Sequence, residues 1–446
     1  MLNRLLFQKI DNSPLIIFRI FFGILISVEC YGAILTGWVR RTLVEPEFTF
    51  SFIGFEWLQP LPGNGMYIYF FVMGTLGLLI TLGYRYRWSM IAFTIMWTGV
   101  YLMQKSSYNN HYYLLILISF LMCFFPASRS HSFDARRNPE IETDSMYAYV
   151  KWIFVFQLLI VYTYAALAKC YADWLDHSFI EILMRSKKSY PVIGESLQHP
   201  FVIQSIRIFG IAFDLLIIPA LLWRKTRVFA FICAIFFHLF NSIVFQIGIF
   251  PYLALAFTVF FFDAETIRKL FFPGKVAYSL KDIRIPNRSS WMLIGGIVYF
   301  TIQVLLPLRH HFFKDNVLWT EEGHRLSWRM MLRSRSGNIS FKVVNKRSGE
   351  STTISVEDYV TRKQKRMLAT HPDFIWQFAQ RLKKEYAAKG EDVAVYANAL
   401  VSVNGRPMRR LIDPNTDLAA EKWSHLQHHD WILPSKLHYN RVKNSN

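Results

Sequence analysis

The sequence is poor in cysteine and in acidic side chains. Its four cysteines include no CxxC pair, and all lie in or beside apolar runs. We therefore expect no disulfide framework and no zinc site. There are 31 acidic residues against 50 basic ones, but no RNA- or DNA-binding signature accompanies the excess, so we expect no nucleic-acid partner. The N-terminus lacks a signal-peptide cleavage pattern, so we interpret its first apolar run as an uncleaved span.

Apolar and aromatic residues are abundant instead. The chain of 446 residues is 53% hydrophobic and 17% aromatic, which is typical of a polytopic membrane protein with many interfacial aromatic residues. Nine runs approach the length of a membrane helix. They lie near residues 15–37, 66–84, 89–104, 112–126, 146–169, 201–223, 227–250, 251–262 and 291–307. The fourth and eighth are short, and the eighth follows the seventh directly, as a re-entrant segment does. We predict eight or nine spans.

Basic residues test the nine-span arrangement. We count the segment before the first span as segment one. The odd-numbered segments then hold 16 basic residues, and the short loops between them hold 6. Because cytoplasmic loops are enriched in lysine and arginine, we expect a cytoplasmic N-terminus. With nine spans, residue 308 onward is then extracytoplasmic.

The tail, residues 308–446, has a different character and contains no membrane-length apolar run. The stretch "ISFKVVNKRSGESTTISV" predicts two strands around a Ser-Gly turn, and "VAVYANALVSVNGRPMRRLI" a second pair around Asn404-Gly405. Between them, "PDFIWQFAQRLKKEYAAKG" predicts a helix that stops by Gly390. We predict a helical membrane domain over residues 1–307 and a small extramembrane α+β domain over residues 308–446.

Ionisable residues inside membrane spans are costly and suggest function. Lys169 ends a span in "YTYAALAKCYADW", where it is either an anchor that reaches for water or a buried base. Arg207 and Asp214 are seven residues apart on one helical face. We favour a structural role for them, as a mutual or an interhelical polar pair.

Three segments place polar side chains near the outer leaflet. They are "SSYNNHYYL" with Asn110 and His111, "ALAKCYADW" with Lys169, and "FFHLFNSIVFQIGIF" with His238 and Asn241. Each residue alone has an ordinary alternative, as a snorkelling lysine, a satisfied histidine or interhelical polar contact. Together they suggest a polar pocket for an amphiphilic ligand with a polar ring and an isoprenoid tail. Desolvation favours the neutral form of an amine, which makes a lysine base available there.

Three histidines cluster in "WSHLQHHDW", at positions 425, 428 and 429. The run lacks the glutamate of the HExxH zinc motif and lies in a terminal segment between tryptophans. We expect no metal site.

At these residues the chain resembles the vitamin K-dependent gamma-glutamyl carboxylase family. The stretches "NNHYYL", "AKCYADW" and "FHLFNSIVFQIGIFPY" resemble its membrane motifs in the same order, and "SWRMMLRSRSG" and "VSVNGRPMRRLIDP" resemble motifs of its extramembrane region. The resemblance covers almost the whole chain.

The resemblance implies a reaction. A lysine deprotonates vitamin K hydroquinone, or a related menaquinol, which then reacts with O2 to give a strong base and finally the epoxide. That base removes a glutamyl γ-proton, and the carbanion captures CO2. By similarity, Lys169 is the base and His111 hydrogen-bonds the quinone oxygen, while Asn110, His238 and Asn241 line the ring pocket. A lysine must be neutral to accept a proton, and excluded water protects so strong a base.

The resemblance also implies that Trp319 and Arg335 hold the glutamyl substrate of a peptide or protein; arginine pairs well with carboxylates. Some positions depart from the family. Gly323 and His324 stand where a leucine and a tyrosine are expected, the chain ends soon after "DWILPSK", and the cysteines of the animal enzymes' disulfide have no counterparts outside the membrane. These departures leave the quinol chemistry better supported than the carboxylation of a protein. The short length and the missing disulfide cysteines favour a bacterial member in the inner membrane.

Three functions follow from this reasoning. The first is a membrane enzyme, a quinol-dependent glutamyl carboxylase. The second is a quinol epoxidase without protein carboxylation. The third is a non-enzymatic quinone-binding or transport protein in contact with membrane lipid. The absence of an internal repeat disfavours a transporter, and a binding protein does not need an unpaired lysine beside the ring.

Overall fold

A computed structural model of the protein describes residues 2–278 and 282–435. Lys281, one of the predicted cytoplasmic basic residues, and residues 436–446 of the predicted C-terminal domain lie outside the described residues. The helices are α1 (Leu2–Phe7), α2 (Ser13–Leu35), α3 (Gly65–Leu82), α4 (Tyr86–Met103), α5 (Asn110–Met122), α6 (Phe133–Arg137), α7 (Ala148–Lys169), α8 (Ala172–Leu175), α9 (Ser178–Arg185), α10 (Pro200–Leu222), α11 (Arg227–Phe245), α12 (Phe250–Phe257), α13 (Ala264–Phe271), α14 (Ser289–Leu308), α15 (Val317–Thr320), α16 (Arg362–Leu368) and α17 (Pro372–Ala387). The strands are β1 (Lys9–Asp11), β2 (Ser145–Tyr147), β3 (Arg335–Asn345), β4 (Ser351–Ile354), β5 (Val393–Val403) and β6 (Arg409–Arg410).

All nine predicted apolar runs are helical. Six helices of the described residues are long and apolar enough to cross a membrane, namely α2, α3, α7, α10, α11 and α14. A seventh span is added if the segments Phe250–Phe260 and Ala264–Phe271, which meet at 116°, count as one. The fifth helix is apolar but has only 13 residues. The predicted polytopic helical membrane protein is confirmed, whereas eight or nine spans exceed the six or seven that length and composition support.

The first two long helices of the bundle, α2 and α3, pack closely against each other. A Cβ atom on Gly23 would lie 2.6 Å from the backbone nitrogen of Thr81, and one on Gly77 would lie 2.9 Å from that of Ser27. The Ser27 hydroxyl donates to the carbonyl oxygen of Gly74 at 2.9 Å. Small residues let two helix backbones approach in a membrane, where burial of apolar surface gives little drive for association.

The C-terminal region, residues 309–435, contains an antiparallel sheet in the order β4-β3-β5-β6, with α17 against it. The predicted β3–β4 hairpin is confirmed, and Phe341 pairs with Ile354 in its register. The second predicted pair is also confirmed. It turns at Asn404 and Gly405, both with positive φ, as a two-residue hairpin turn requires. The predicted helix is α17, which ends three residues before Gly390.

The C-terminal region docks on the bundle through a contact zone that we call the junction, formed by residues 104–110, 319–335 and 364–374. Phe50 packs on Phe374 with ring centroids 4.8 Å apart, and Lys105 forms a buried ion pair with Asp373 at 2.7 Å. The predicted domain boundary after residue 307 falls one residue before the end of α14 and stays a prediction.

Candidate functional site

Lys169 occupies the last turn of α7 and is buried, with 9% of its surface exposed. Its Nζ forms an ion pair with Asp214 Oδ2 on α10 and donates to the carbonyl oxygen of Gly210 at 3.3 Å. The Trp174 ring lies 5.4 Å from the same amine. A carboxylate, a helix C-terminus and an aromatic face all favour a cation here. The side chain is therefore held inside the protein and does not snorkel.

This pairing corrects one expectation and decides between two others. Lys169 is not unpaired, because Asp214 binds it across two helices. Arg207 does not pair with Asp214 on its own helix; it donates to the carbonyl oxygen of Leu175 at 2.7 Å. Of the two structural roles considered for Asp214, the interhelical one is observed. Helix packing brings α7 and α10 together and decides the partner.

His238 lies on α11 and is 2% exposed. Its Nε2 is 3.0 Å from the hydroxyl of Tyr162 on α7. Its Nδ1 is buried and has no hydrogen-bond partner among the described residues. Tyr162 precedes Lys169 by seven residues, about 10 Å along the helix axis. The two polar contacts of α7, with α10 and with α11, therefore lie on one side of this helix.

His111 lies in the first turn of α5 and stacks on Phe250 of α12, with ring centroids 3.9 Å apart and an interplanar angle of 24°. Phe250 also contacts His238 edge-on, with ring centroids 5.9 Å apart. His111 and His238 also lie within electrostatic range of each other. Packing thus gathers the "NNHYYL" and "FHLFN" segments around one phenylalanine, next to the helix that carries Lys169.

A cavity of about 880 Å³ opens beside this cluster. Its wall includes His111, Trp38, Trp97 and Glu29. The Glu29 carboxylate accepts a hydrogen bond from the Tyr112 hydroxyl at 2.6 Å. Apolar and aromatic walls with a few polar groups are typical of ligand sites of this size. The sequence analysis did not place Glu29, Trp38 or Trp97 in a pocket. The one signal in the sequence was the charge of Glu29 within a predicted span.

Other predicted pocket residues lie elsewhere. Asn110 is buried and faces the junction, where its amide donates to the carbonyl oxygen of Arg329 at 3.1 Å and its Oδ1 accepts from Tyr108 at 2.8 Å. Asn241 is half-buried on α11. Asn110, Lys169, His238 and Asn241 do not line the cavity, whereas the neighbouring Asn109 does. Of the predicted set, His111 alone is in the cavity wall.

The predicted substrate residues are already engaged within the protein. Trp319 is 2% exposed, and its indole nitrogen donates to the carbonyl oxygen of Leu433 at 2.7 Å. Arg335 donates to the carbonyl oxygens of Leu318 and Trp319, at 2.7 and 2.9 Å, and pairs with Glu321 at 2.9 Å. Both side chains hold the junction together.

Glu321 is the centre of a buried cluster of charges. Arg333 binds it with two nitrogens, and His371 Nε2 lies 3.8 Å away. Burial alone raises the pKa of the Glu321 carboxyl, but Arg333 and its cationic neighbours outweigh burial and hold the pKa well below its usual range. Burial lowers the pKa of His371 to about 3. At neutral pH the cluster therefore combines a carboxylate, guanidinium groups and a neutral histidine.

Two departures from the family pattern have structural reasons. Gly323 has φ +72°, and a Cβ atom there would lie 2.7 Å from the Cα atom of His310, so only glycine fits. His324 accepts a hydrogen bond from Arg333 at 2.8 Å.

In the C-terminal histidine run, His428 Nδ1 lies 2.7 Å from a Glu322 oxygen. Residues 2–278 and 282–435 contain no group of three or more potential ligands placed to hold a metal ion.

Comparisons with known families agree with this architecture. The HTTM domain family matches residues 7–265, which is more than half of the chain. The lumenal domain of vitamin K-dependent gamma-carboxylase matches residues 288–438. No solved structure matches the chain. The two matches cover the helical bundle and the C-terminal region in order, so the chain belongs to the vitamin K-dependent gamma-glutamyl carboxylase family and is a carboxylase-like integral membrane protein.

Proposed function

We propose that this protein is a quinol-dependent glutamyl carboxylase. It oxygenates vitamin K hydroquinone, or a menaquinol, with O2 to the epoxide and couples this reaction to carboxylation of glutamyl residues with CO2. The observation that carries the proposal is the lysine–aspartate pair at the end of α7, buried in a bundle that also holds His238 and His111. Family membership adds the quinol and the carboxylase reaction.

The cavity fits an aromatic quinol ring. Trp38, Trp97 and Phe250 provide flat apolar surface, and His111 and Glu29 provide polar atoms for ring oxygens. An isoprenoid tail suits the exposed apolar flanks of the bundle. Lys169 lies outside the cavity wall, so the proposal includes a movement of the Phe250 side chain between His111 and His238 when a quinol binds.

Lys169 takes the proton of the quinol hydroxyl in this proposal. The reactive form has a neutral Nζ beside ionised Asp214, and the ion pair of the structure is the form after proton transfer. Asp214 is the counterion of the ammonium that the transfer creates, and the Trp174 ring lies 5.4 Å from it. When bound, the quinol supplies the electrons that reduce O2 and the strong base that removes a glutamyl γ-proton.

His111 donates a hydrogen bond to a quinol oxygen, and the unpartnered Nδ1 of His238 offers a second polar contact. The phenylalanine rings packed around His238 exclude water, which protects strongly basic species from protonation. Asn110 ties the start of α5 to the carbonyl oxygen of Arg329, and Asn241 lies in the last turns of α11. The predicted orientation completes the proposal, with the N-terminus cytoplasmic and the C-terminal region outside a bacterial inner membrane.

One assay separates the candidate functions. Purified protein in detergent is given reduced vitamin K, O2, labelled CO2 and a glutamyl peptide, and epoxide and incorporated label are measured. We expect both products. Epoxide without label selects the quinol epoxidase, and neither product leaves a binding or transport protein.

A further inference from the structure

A second cavity, of about 490 Å³, lies at the start of α10 and is separate from the candidate site. His177, Glu181 and Arg185 line it, and they come from α9 and the residue before this helix. Their spacing of four residues puts the three side chains on one helical face. Gln198 and Gln204 also line the cavity. No step of the proposed reaction uses any of these residues.

The cavity wall carries charges of both signs that are only loosely paired. Glu181 has one oxygen 3.1 Å from His177 Nδ1 and the other 3.7 Å from a terminal nitrogen of Arg185. The Arg185 side chain is 75% exposed, and its guanidinium donates no hydrogen bond to another described residue. A guanidinium pairs well with a phosphate, and a carboxylate accepts hydrogen bonds from an ammonium group. The wall therefore suits a ligand that carries both a phosphate and an ammonium.

The two glutamines add a donor and an acceptor. Gln198 Nε2 already donates to the carbonyl oxygens of Met184 at 2.8 Å and Gly194 at 3.1 Å, so its side-chain oxygen is the group that remains for a ligand. Gln204 is exposed in the second turn of α10, where its amide can donate to a phosphate oxygen. Among the described residues, no phenylalanine, tyrosine or tryptophan lines the cavity. Because quaternary ammonium groups are bound in aromatic cages, this wall favours a primary ammonium.

An exposed apolar stripe of α10 begins beside the cavity. This helix is one of the six described helices that are long and apolar enough to cross a membrane. Ile208 and Leu215, which are 55% and 51% exposed, follow Gln204 at spacings of four and eleven residues. Such spacings place the three side chains on one face of the helix. A ligand whose polar groups fill the cavity therefore has apolar surface available along α10, as a phospholipid with its acyl chains requires.

Helix α9 lies between this cavity and two other parts of the protein. Leu183 and Lys187 line the larger cavity that we assign to the quinol. A Cβ atom on Gly405 would lie 3.2 Å from Cδ1 of Ile182, so α9 also contacts the turn between β5 and β6. A ligand bound against Glu181 and Arg185 would therefore hold a helix that contacts both the quinol cavity and the C-terminal region.

We propose that this cavity binds the headgroup of a phospholipid with a primary ammonium, a phosphatidylethanolamine. Arg185 and Gln204 bind its phosphate, and Glu181 accepts hydrogen bonds from its ammonium group. The acyl chains lie along Ile208 and Leu215. A phosphatidylglycerol headgroup would place a negative charge near Glu181 without an ammonium to offset it, and a choline headgroup has no N–H to donate. The inference goes beyond the proposed function and does not depend on it.

Native mass spectrometry tests the proposal by counting bound lipids. The full-length protein, delipidated in detergent, is titrated separately with dioleoyl phosphatidylethanolamine and with the matching choline and glycerol lipids. We expect it to prefer the ethanolamine lipid over each of the others by about fivefold, the scale of one or two partly exposed charged contacts. Glu181→Gln removes this preference, because the ammonium loses its acceptor. Arg185→Gln weakens the binding of all three lipids, because they share the phosphate.

Glu195→Gln is the matched control, because the Glu195 side chain is 82% exposed in the same connection between α9 and α10 and does not line the cavity. This variant keeps the native preference, and native melting temperatures show that all three variants are folded. The inference is overturned if the native protein binds the three lipids equally, if Glu181→Gln keeps the preference, or if Glu195→Gln also loses it.

A headgroup without acyl chains separates a lipid from a soluble ligand. Glycerophosphoethanolamine should bind at least about tenfold more weakly than the lipid, since it lacks the apolar contacts along α10. Equal binding would assign the cavity to a soluble phosphoester and would overturn the lipid assignment.

Discussion

Charge is arranged differently at the end of α7 and at the junction. Near Lys169 a single lysine–aspartate pair lies beside a group of phenylalanine, tyrosine and histidine side chains. At the junction, four arginines or lysines share two buried carboxylates, Asp373 and Glu321. The first arrangement suits the transfer of one proton in a dry setting. The second suits a fixed contact between the C-terminal region and the bundle, because each carboxylate is bound by two cations.

The difference also separates two uses of a buried charge. The ammonium of Lys169 has its counterion beside it, so a proton can move without leaving a lone charge in the membrane. At the junction, Glu321 and Asp373 are each bound by two cations, so these charges hold the C-terminal region on the bundle. Changes at Lys169 should therefore affect chemistry, and changes at Asp373 should affect stability.

The largest expected effect is on catalysis by Lys169→Ala. A positioned general base contributes about 10²–10⁴-fold to rate, so epoxide formation should fall by that factor. Lys151→Ala is the control, since Lys151 lies near the other end of the same helix. The measurement is the initial rate of epoxide formation by purified variants. An alanine variant with more than a tenth of the native rate would refute the assigned base.

The lysine–aspartate pair also permits a stability test. Asp214→Leu leaves a buried ammonium without its partner and should lower the free energy of unfolding by about 3–5 kcal/mol. The double variant Lys169→Met/Asp214→Leu removes both charges and should recover most of this loss. Thermal unfolding in detergent measures each. If the double variant melts as low as the single one, packing at these positions matters more than charge.

The junction should respond to acid. Burial lowers the pKa of His371 from 6.5 to about 3, so between these values the unfolded chain binds a proton that the folded protein does not. The stabilisation is complete above pH 6.5 and is lost as the pH falls, by about 2 kcal/mol at pH 5.

His371→Gln should remove this part of the pH dependence. The comparison is the shift in melting temperature between pH 7.5 and pH 5.0 for the native protein, His371→Gln and His425→Gln, whose histidine is exposed. If the melting temperature shifts equally in all three proteins, His371 is not a source of the pH dependence.

Local pattern predicted most elements of the fold. Apolar length marked all nine bundle helices, and alternation with the Asn404-Gly405 turn marked the strands of the C-terminal region. Each of these signals is contained in a stretch of about twenty residues, as is usual for secondary structure. The span count was less certain because α5 is short and the chain bends sharply after α12.

The partners of the charged residues were not predictable in this way. Asp214 is 45 residues from Lys169, and Asn110 is 219 residues from its carbonyl partner in Arg329. Sequence spacing suggested a pair between Arg207 and Asp214, but helix packing chose Lys169. Arg335 was proposed from resemblance alone, and only its contacts reveal that its terminal nitrogens are bound to Glu321 and to backbone carbonyl oxygens. The site residues stay predictions until the variants are measured.

The smallest expected effect concerns an exposed counterpart of the buried pairs. α17 carries Asp373 at its junction end and the pair Arg381–Glu385, 2.9 Å apart, toward its other end. Each of the latter side chains is about one-third exposed, at 32% and 31%. Glu385→Gln should therefore lower the free energy of unfolding by about 0.5 kcal/mol or less, since solvent screens the pair.

Asp373→Asn provides the contrast on the same helix. Its carboxylate is bound by Lys105 and Arg325 in the interior, so the expected loss is about 3 kcal/mol. Chemical unfolding of both variants at low and at 0.5 M salt measures the difference. A loss from Glu385→Gln as large as that from Asp373→Asn would mean that burial does not set the strength of these pairs. The contrast drawn between the buried charges of the junction and ordinary surface charges would then fail.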